Sequence, residues 1–323
     1  MWINGDDLVS FLPWVEVYRP KKLDEIVGQE EVVRILKNFV KTSNFPHLIF
    51  AGPPGCGKTT CAFALANEIY GNDYKNNILD LNASDDRGID VVRGKIKDFA
   101  RSSPISDVPF KLIFLDESDA LTPEAQHALR RTMEMYSSNV RFILSCNFSS
   151  KIIEPIQSRC AVLRFKALSY EDIKKMVKRI SKSEGFEIED DAIIALSEYC
   201  EGDMRKVINL LQTIAFSRKK ITKEDVYKFG NIISPTEIKT LVDLSLSKNF
   251  DESSKILNKL FFEKGFSGED IILAIYKDIL KRDIPDDKKM KIIEKIGEYN
   301  FRISEGANEI IQLTALIAFI CNV

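Results

Sequence analysis

The sequence predicts an α/β fold, a parallel sheet wrapped by helices, followed by a second half built of helices alone. Two observations carry this. Short β-branched or aromatic runs alternate with residues at helical spacing up to about position 166. Beyond that point strand signals nearly stop, and helical periods run on to Val323.

The strand runs are HLIFAG (47–52), ILDLN (78–82), KLIFLDE (111–117), VRFILSCN (140–147) and AVLRF (161–165). Several are apolar at consecutive positions, as strands covered on both faces must be. Between them, Ile89, Val92, Ile96, Phe99 and Ala100 share one face of a helix over 89–101. Thr122 and Pro123 supply an N-cap and a proline at the first helical position for a helix over 122–136. Ser169 and Asp172 form a capping-box pattern that opens a helix running to about Glu184. Two more helices read over 190–200 and 203–217, with Gly202 between them, and a shorter one follows Thr222. Pro235 marks a further boundary. The last stretch, IIQLTALIAFIC, is apolar almost all round, so its helix is buried in its own bundle or against another subunit. The expected domains are 1–165 (α/β), 166–232 (small, helical) and 233–323 (helical).

Of the 323 residues, 45 % are hydrophobic, enough for a full core in each domain. The 46 basic and 48 acidic residues leave a net charge of -2, so any contact with nucleic acid must come from local clusters of base. Six cysteines without a CxxC pair, and only two histidines, argue against a zinc site. The cysteines mostly sit in apolar runs and read as buried, reduced thiols. The opening MWINGDDLVSF lacks the basic and apolar regions of a signal peptide. No apolar stretch reaches the about 18 residues of a membrane helix. The cytoplasm is the expected compartment.

The stretch GPPGCGKTT, Gly52 to Thr60, satisfies G-x-x-x-x-G-K-[ST]. It follows an apolar strand and opens a helix from Lys58 to Tyr70, the context that pattern requires. Gly52, Pro53, Pro54, Gly55, Cys56, Gly57, Lys58, Thr59 and Thr60 are therefore the candidate cradle for ATP. Its glycines let backbone N–H groups turn toward phosphates, and the helix N-terminus adds a favourable dipole. Lys58 suits the β- and γ-phosphates and Thr59 a Mg2+ ion. The strand KLIFLDE then delivers two carboxylates. Asp116 suits magnesium, directly or through water, and Glu117 suits polarising the attacking water. Asn147, at the carboxyl end of the next strand, faces the ligand crevice of an open α/β sheet. It either orients the water, senses the γ-phosphate or is a plain turn residue.

Together these pieces resemble the AAA+ ATPases, and closely the small subunits of replication factor C, the clamp loader of archaea and eukaryotes. The matching text includes WVEVYRPKKLDEIVGQEEVV (14–33), FPHLIFAGPPGCGKTT (45–60), LNASDDRGID (81–90), FLDESDALTPEAQHALRRTMEMYS (114–137), FILSCNFSSKIIEPIQSRC (142–160) and EGDMRK (201–206). The resemblance thins in the C-terminal helices. It implies a RecA-like AAA+ domain, a helical lid and a C-terminal collar that holds a ring of subunits. It implies that Val15, Tyr18, Arg19 and Val27 line the adenine pocket, that Asn147 is a first sensor and that Arg205 is a second. Arg159 would be an arginine finger acting in trans on a neighbour's ATP. The implied partners are the replication factor C large subunit, further small subunits in a pentamer, a PCNA-type sliding clamp and primer-template DNA. The implied compartment is the archaeal cytoplasm at the nucleoid, or the nucleus of a eukaryote.

Two departures are visible. Cys56 stands where the family usually has threonine, which raises the prospect of a reactive thiol beside ATP. Ser118 replaces alanine in the acidic motif and leaves both carboxylates in place. Two rival readings are a branch-migration type AAA+ motor, which needs a C-terminal winged helix, and a structural ATP-binding ring subunit without turnover. The helical C-terminus speaks against the first. Intact Lys58, Glu117 and Arg159 speak against the second.

Arg93, Lys97 and Arg101 stack at intervals of four on the helix over 89–101, opposite its apolar stripe, with Arg87 just before. Taken alone, such a stripe reads as a solvated face. The resemblance places this helix along the inner chamber of the ring, which makes Arg87, Arg93 and Lys97, and more weakly Arg101, expected DNA contacts. Such contacts hold phosphates and read no sequence. Arg130 and Arg131 face DNA, an adjoining subunit or Glu134 of their own helix.

Overall fold

A computed structural model describes residues 12–42, 44–84, 92–102 and 110–323. Five strands form one parallel sheet: β1 (His47–Ala51), β2 (Ile78–Asn82), β3 (Lys111–Asp116), β4 (Val140–Cys146) and β5 (Cys160–Arg164). Their spatial order is β2-β3-β4-β1-β5, with Leu48 opposite both Ile143 and Ala161, and Phe114 opposite Ile143. Every strand read from sequence matches the observed one to within a residue at each end. The most apolar runs lie at the centre, where β1, β3 and β4 are buried almost throughout. At the edges, β2 and β5 let Asp80 and Arg164 reach water.

Helices of seven residues or more are labelled in order. On one face of the sheet α1 (Glu30–Thr42) and α2 (Lys58–Tyr70) pack Leu36, Cys61, Ala62 and Leu65 onto Leu48, Phe50, Phe114 and Ile143. On the other, α3 (Pro123–Met135) packs Ala125, Leu129 and Met133, beside Ile96, onto Ile49, Ile113, Phe142 and Leu144. The alternation of side chains along each strand sorts them between these two cores. As expected, α3 opens on Thr122, whose Oγ1 accepts from Ala125 N at 3.3 Å, with proline first in the helix. The helix read over 89–101 is seen from Val92, as a π-helical turn to Ile96 followed by Lys97–Arg101; Ile89 lies outside the described residues.

His47 opens β1 and is buried, and its Nδ1 accepts from Phe142 N at 3.1 Å. Burial, reinforced by the nearby Arg141 charge, pushes its pKa down to about 4 from 6.5. The unfolded chain therefore takes up a proton between those two values that the fold refuses. Stability is intact above pH 6.5 and falls as pH falls from 6.5 towards 4. The loss should reach about 3 kcal/mol. Urea denaturation at about pH 7 and about pH 4.5 should show it, and His47→Asn, which keeps an acceptor without the titration, should lose less.

Three lid helices follow: α4 (Tyr170–Glu184), α5 (Asp190–Cys200) and α6 (Met204–Ala215). The capping box is present, with Asp172 N donating to Ser169 Oγ at 3.3 Å and Ser169 N donating to Asp172 Oδ2 at 3.0 Å. The only strands here are a two-residue parallel pair, β6 (Glu187–Ile188) and β7 (Lys220–Ile221). The segment at 12–20 rests on this lid. Trp14 stacks on Phe186 with ring centroids 5.8 Å apart, its N donates to Gln212 Oε1 at 3.0 Å, and Tyr18 hydrogen-bonds Glu184.

The chain divides into two compact units, Met1–Lys223 and Glu224–Val323, so the three lid helices belong with the α/β part. The second unit takes in α7 (Lys223–Phe229) from Glu224 on, then α8 (Pro235–Leu246), α9 (Phe250–Asn258), a π-helical turn at Lys259–Glu263, α10 (Gly268–Lys281), α11 (Asp286–Ser304) and α12 (Glu309–Asn322). Its core joins Leu241, Val242, Ile271, Ile275, Ile292, Leu313 and Ile317. Leu313, Leu316, Ile317 and Ile320 of α12 are buried in this bundle, while Ile311 stays 61 % exposed. No described helix is long and apolar enough to cross a membrane.

Candidate functional site

The strand order sets β1, β4 and β3 side by side, so the segments leaving their carboxyl ends converge. These are the glycine-rich loop, Asn147 and the pair Asp116-Glu117. The loop reaches α2 through two left-handed glycines, Gly55 at φ +66° and Gly57, the N-cap, at φ +101°. Gly55 has a second reason to be glycine: a Cβ there would fall 1.8 Å from Asp203 Oδ1 of the lid. Met204 N also donates to Gly55 O at 3.2 Å, so loop and lid are in direct contact.

One cleft opens at this junction. It is lined by Val15, Tyr18, Arg19, Val27, Pro54 to Thr60, Asp116, Glu117, Asn147 and Arg205, with Leu168, Met176 and Ile208 of the lid side adding apolar wall. Gly52 and Pro53 stand behind it and offer carbonyl oxygens to Lys58 Nζ at 2.7 and 2.8 Å. The third bond of this ammonium goes to Asn147 Oδ1 at 3.2 Å. Lys58 is 8 % exposed, so its charge is satisfied by these groups at the floor of the cleft. Thr59 Oγ1 donates to Asp116 Oδ2 at 2.7 Å, and Glu117 N donates to Asp116 Oδ1 at 3.0 Å. Glu117 is exposed and has φ +50°, a left-handed conformation that costs a residue with a Cβ.

Arg159 stands apart. It does not line the cleft, and its exposed guanidinium donates to Pro155 O at 2.7 Å and pairs with Glu134 at 2.6 Å. Arg130 bonds the same Glu134 oxygen at 3.1 Å, which gives Arg130 a partner on its own helix. The two guanidinium groups, Arg130 first, hold the Glu134 carboxyl below its usual range. Of the basic stripe, Arg87 lies outside the described residues, as does the side chain of Arg93. Lys97 is half-buried, and Arg101 is exposed with its Nε donating to Tyr136 OH at 3.2 Å.

Three family models match in succession: the ATPase family associated with various cellular activities over 48–168, an RFC1-like AAA+ ATPase lid domain over 170–228 and the replication factor C C-terminal domain over 233–319. The replication factor C small subunit of Methanococcus vannielii is 54 % identical over 306 residues, covering 95 % of this chain and 97 % of that protein. The small subunit of Archaeoglobus fulgidus is 50 % identical over 311 residues, covering 96 % and 98 %. The chain belongs to the replication factor C small subunit family.

The fold extends further than the family. The RuvB Holliday junction branch migration motor of Thermotoga maritima superposes with a TM-score of 0.58 at 19 % identity, over 83 % of this chain and 99 % of that one. At that identity the likeness concerns architecture alone, and 235–322 of this replication factor C small subunit holds only helices, without a winged helix.

Three groups around the small-subunit cleft were not singled out by sequence reasoning. Gln29 is buried, and its Nε2 donates to Cys56 O at 3.2 Å and Lys166 O at 2.8 Å, tying the loop to the start of the lid. Asp119 accepts from the backbone N–H of Asn147 and Phe148, both at 3.3 Å, and so sets the turn that aims Asn147. Asp203 caps α6 through Arg205 N at 2.9 Å and Lys206 N at 3.1 Å while lying against Gly55. The Asx-type residue before a helix was a readable signal for its capping role; its meeting with the loop was not. Cys56 is only 2 % exposed, and burial pushes its thiol up against the opposing pull of the Lys58 charge. The thiol beside this loop is thus protonated at neutral pH and a poor nucleophile, contrary to the prospect its position raised.

Proposed function

We propose that the chain is an ATP-hydrolysing subunit of a DNA sliding-clamp loader, which opens a PCNA-type clamp and places it on primed template DNA. The supporting observation is the meeting of Lys58, Thr59, Asp116, Glu117 and Asn147 in one cleft shared by the α/β part and the lid. Thr59 Oγ1 and Asp116 Oδ2, 2.7 Å apart, are a hard-oxygen pair of the kind Mg2+ takes alongside phosphate oxygens, so the residues present fit that ion. Bound there, magnesium would neutralise charge on the phosphates.

The chain's own groups take the following parts. Lys58 exchanges its loop carbonyls for the β- and γ-phosphates. Glu117 accepts a hydrogen bond from the attacking water and so polarises it, and Asn147, aimed by Asp119, orients that water or senses the γ-phosphate. Val15, Tyr18, Arg19 and Val27 enclose the base. Arg205 brings a lid charge to the phosphates. Because Gly55 touches Asp203 and Met204, a change at the loop is felt by the lid directly. Arg159, outside its own cleft, serves the ATP of a neighbouring subunit in trans. A domain plan of 1–165, 166–232 and 233–323 assigns nucleotide binding, lid and ring-forming collar in turn. The partners are then the large subunit, further small subunits, the clamp and primer-template DNA, gripped through Arg87, Arg93 and Lys97. Arg101, tied to Tyr136, contributes least.

ATP turnover by the reconstituted loader should rise when clamp and primed DNA are added at low salt. The DNA part of that rise should fade at high salt, because phosphate contacts weaken as counterions compete. Lack of any stimulation at low salt would remove the loader reading.

A further inference from the structure

Strand β4 ends in the text FILSCN, and its side chains alternate between the two cores. Phe142, Leu144 and Cys146 enter one, and Ile143 enters the other, against which α2 packs. Ser145 therefore shares the face of Ile143. The register puts it opposite Phe50 of β1 and, one step past the Leu115–Leu144 pair, beside Asp116 of β3.

Ser145 is 0 % exposed and lines the cleft with Lys58, Thr59 and Asp116. Its hydroxyl oxygen has no hydrogen-bond partner among the described residues. A buried hydroxyl in that condition weakens the fold, and a methyl group at the same place would not. Two polar groups on the same lining are committed elsewhere. Lys58 Nζ is engaged with Gly52 O, Pro53 O and Asn147 Oδ1, and the Thr59 hydroxyl proton goes to Asp116. Water does not reach this hydroxyl as the cleft stands; the register sets Ser145 beside Asp116 and it shares the cleft lining with Lys58 and Thr59, so a water meets it only once Lys58 has left its loop carbonyls for phosphate.

We propose that Ser145 is a positioning residue of the metal–nucleotide site, whose hydroxyl hydrogen-bonds the water shell of a magnesium ion held by Thr59 and Asp116. This rests on the ATP reading above. It also explains why a fully buried sheet position carries a polar side chain: stability is given up in the empty cleft and recovered on loading.

The test titrates the full chain and its Ser145→Ala variant with a non-hydrolysable ATP analogue, once with Mg2+ and once with EDTA. In the parent, magnesium should strengthen binding. In Ser145→Ala that enhancement should shrink about 3- to 10-fold, the worth of one hydrogen bond, while affinity in EDTA stays within about twofold. The ligand-free variant should melt at or above the parent's temperature, since it sheds an unpaired hydroxyl. An unchanged magnesium enhancement overturns the proposal, as does an equal loss with and without the metal. Failure of the parent itself to bind the analogue more tightly with magnesium would instead defeat the nucleotide-site reading, and this proposal with it.

Discussion

Arg159→Ala in the assembled ring should cut ATP turnover at the dependent site by about 10³- to 10⁵-fold, the range that arginine fingers command. Nucleotide affinity should stay nearly unchanged. The expectation follows from where the side chain stands. It is absent from its own cleft, yet its guanidinium is not loose: Pro155 O and Glu134 fix two of its nitrogens. A fixed, permanently charged plane at the surface suits charge growing on a phosphoryl group brought up by another subunit. The exposed pair with Glu134 adds little stability, so the fold of the variant should be intact. Arg159→Lys should fail to rescue, because a point charge cannot present the same fork. Single-turnover hydrolysis and equilibrium binding of a fluorescent ATP analogue separate the two effects. A variant that loses affinity and keeps its rate would show that Arg159 is no finger.

What could be read from sequence was whatever is local in the chain. The phosphate loop is contiguous and binds through backbone, so its text fixes its shape. The apolar runs of β1, β3 and β4 announced central strands, and Ser169 and Thr122 announced helix starts, because caps involve neighbours three residues apart. What stayed hidden depends on residues distant in sequence meeting in space. The approach of Asp203 to Gly55, the bridge of Gln29 between Cys56 and Lys166, and the seat of Asp119 under Asn147 are of this kind. Ser118 is an intermediate case. In sequence it is a departure from the family's alanine; in the fold it is fully buried and acceptable because its hydroxyl donates to Leu115 O at 2.7 Å. The helix α12 reads apolar on all sides, and only packing could say which half is buried. Its inner row fills the bundle and Ile311 remains outside.

Glu117 is where catalysis and stability should part most clearly. Glu117→Gln keeps the size of the side chain and removes the charge, so turnover with DNA and clamp should fall by about 10²- to 10⁴-fold, the contribution of a positioned base, with ATP still bound. Equal, near-zero rates in parent and variant would favour a ring subunit that binds ATP without hydrolysing it. Glu117→Gly should lose turnover at least as severely and yet melt higher than the parent. The residue sits at φ +50°, where a Cβ costs about 1 to 2 kcal/mol and glycine costs almost nothing. A position selected for folding alone would carry glycine or asparagine there. The glutamate is held in that strained turn by the strand end at Asp116 on one side and the 3-10 turn at Ser118–Ala120 on the other. This strained residue lines the cleft, and a variant that gains stability as it loses activity would be the direct mark of that exchange.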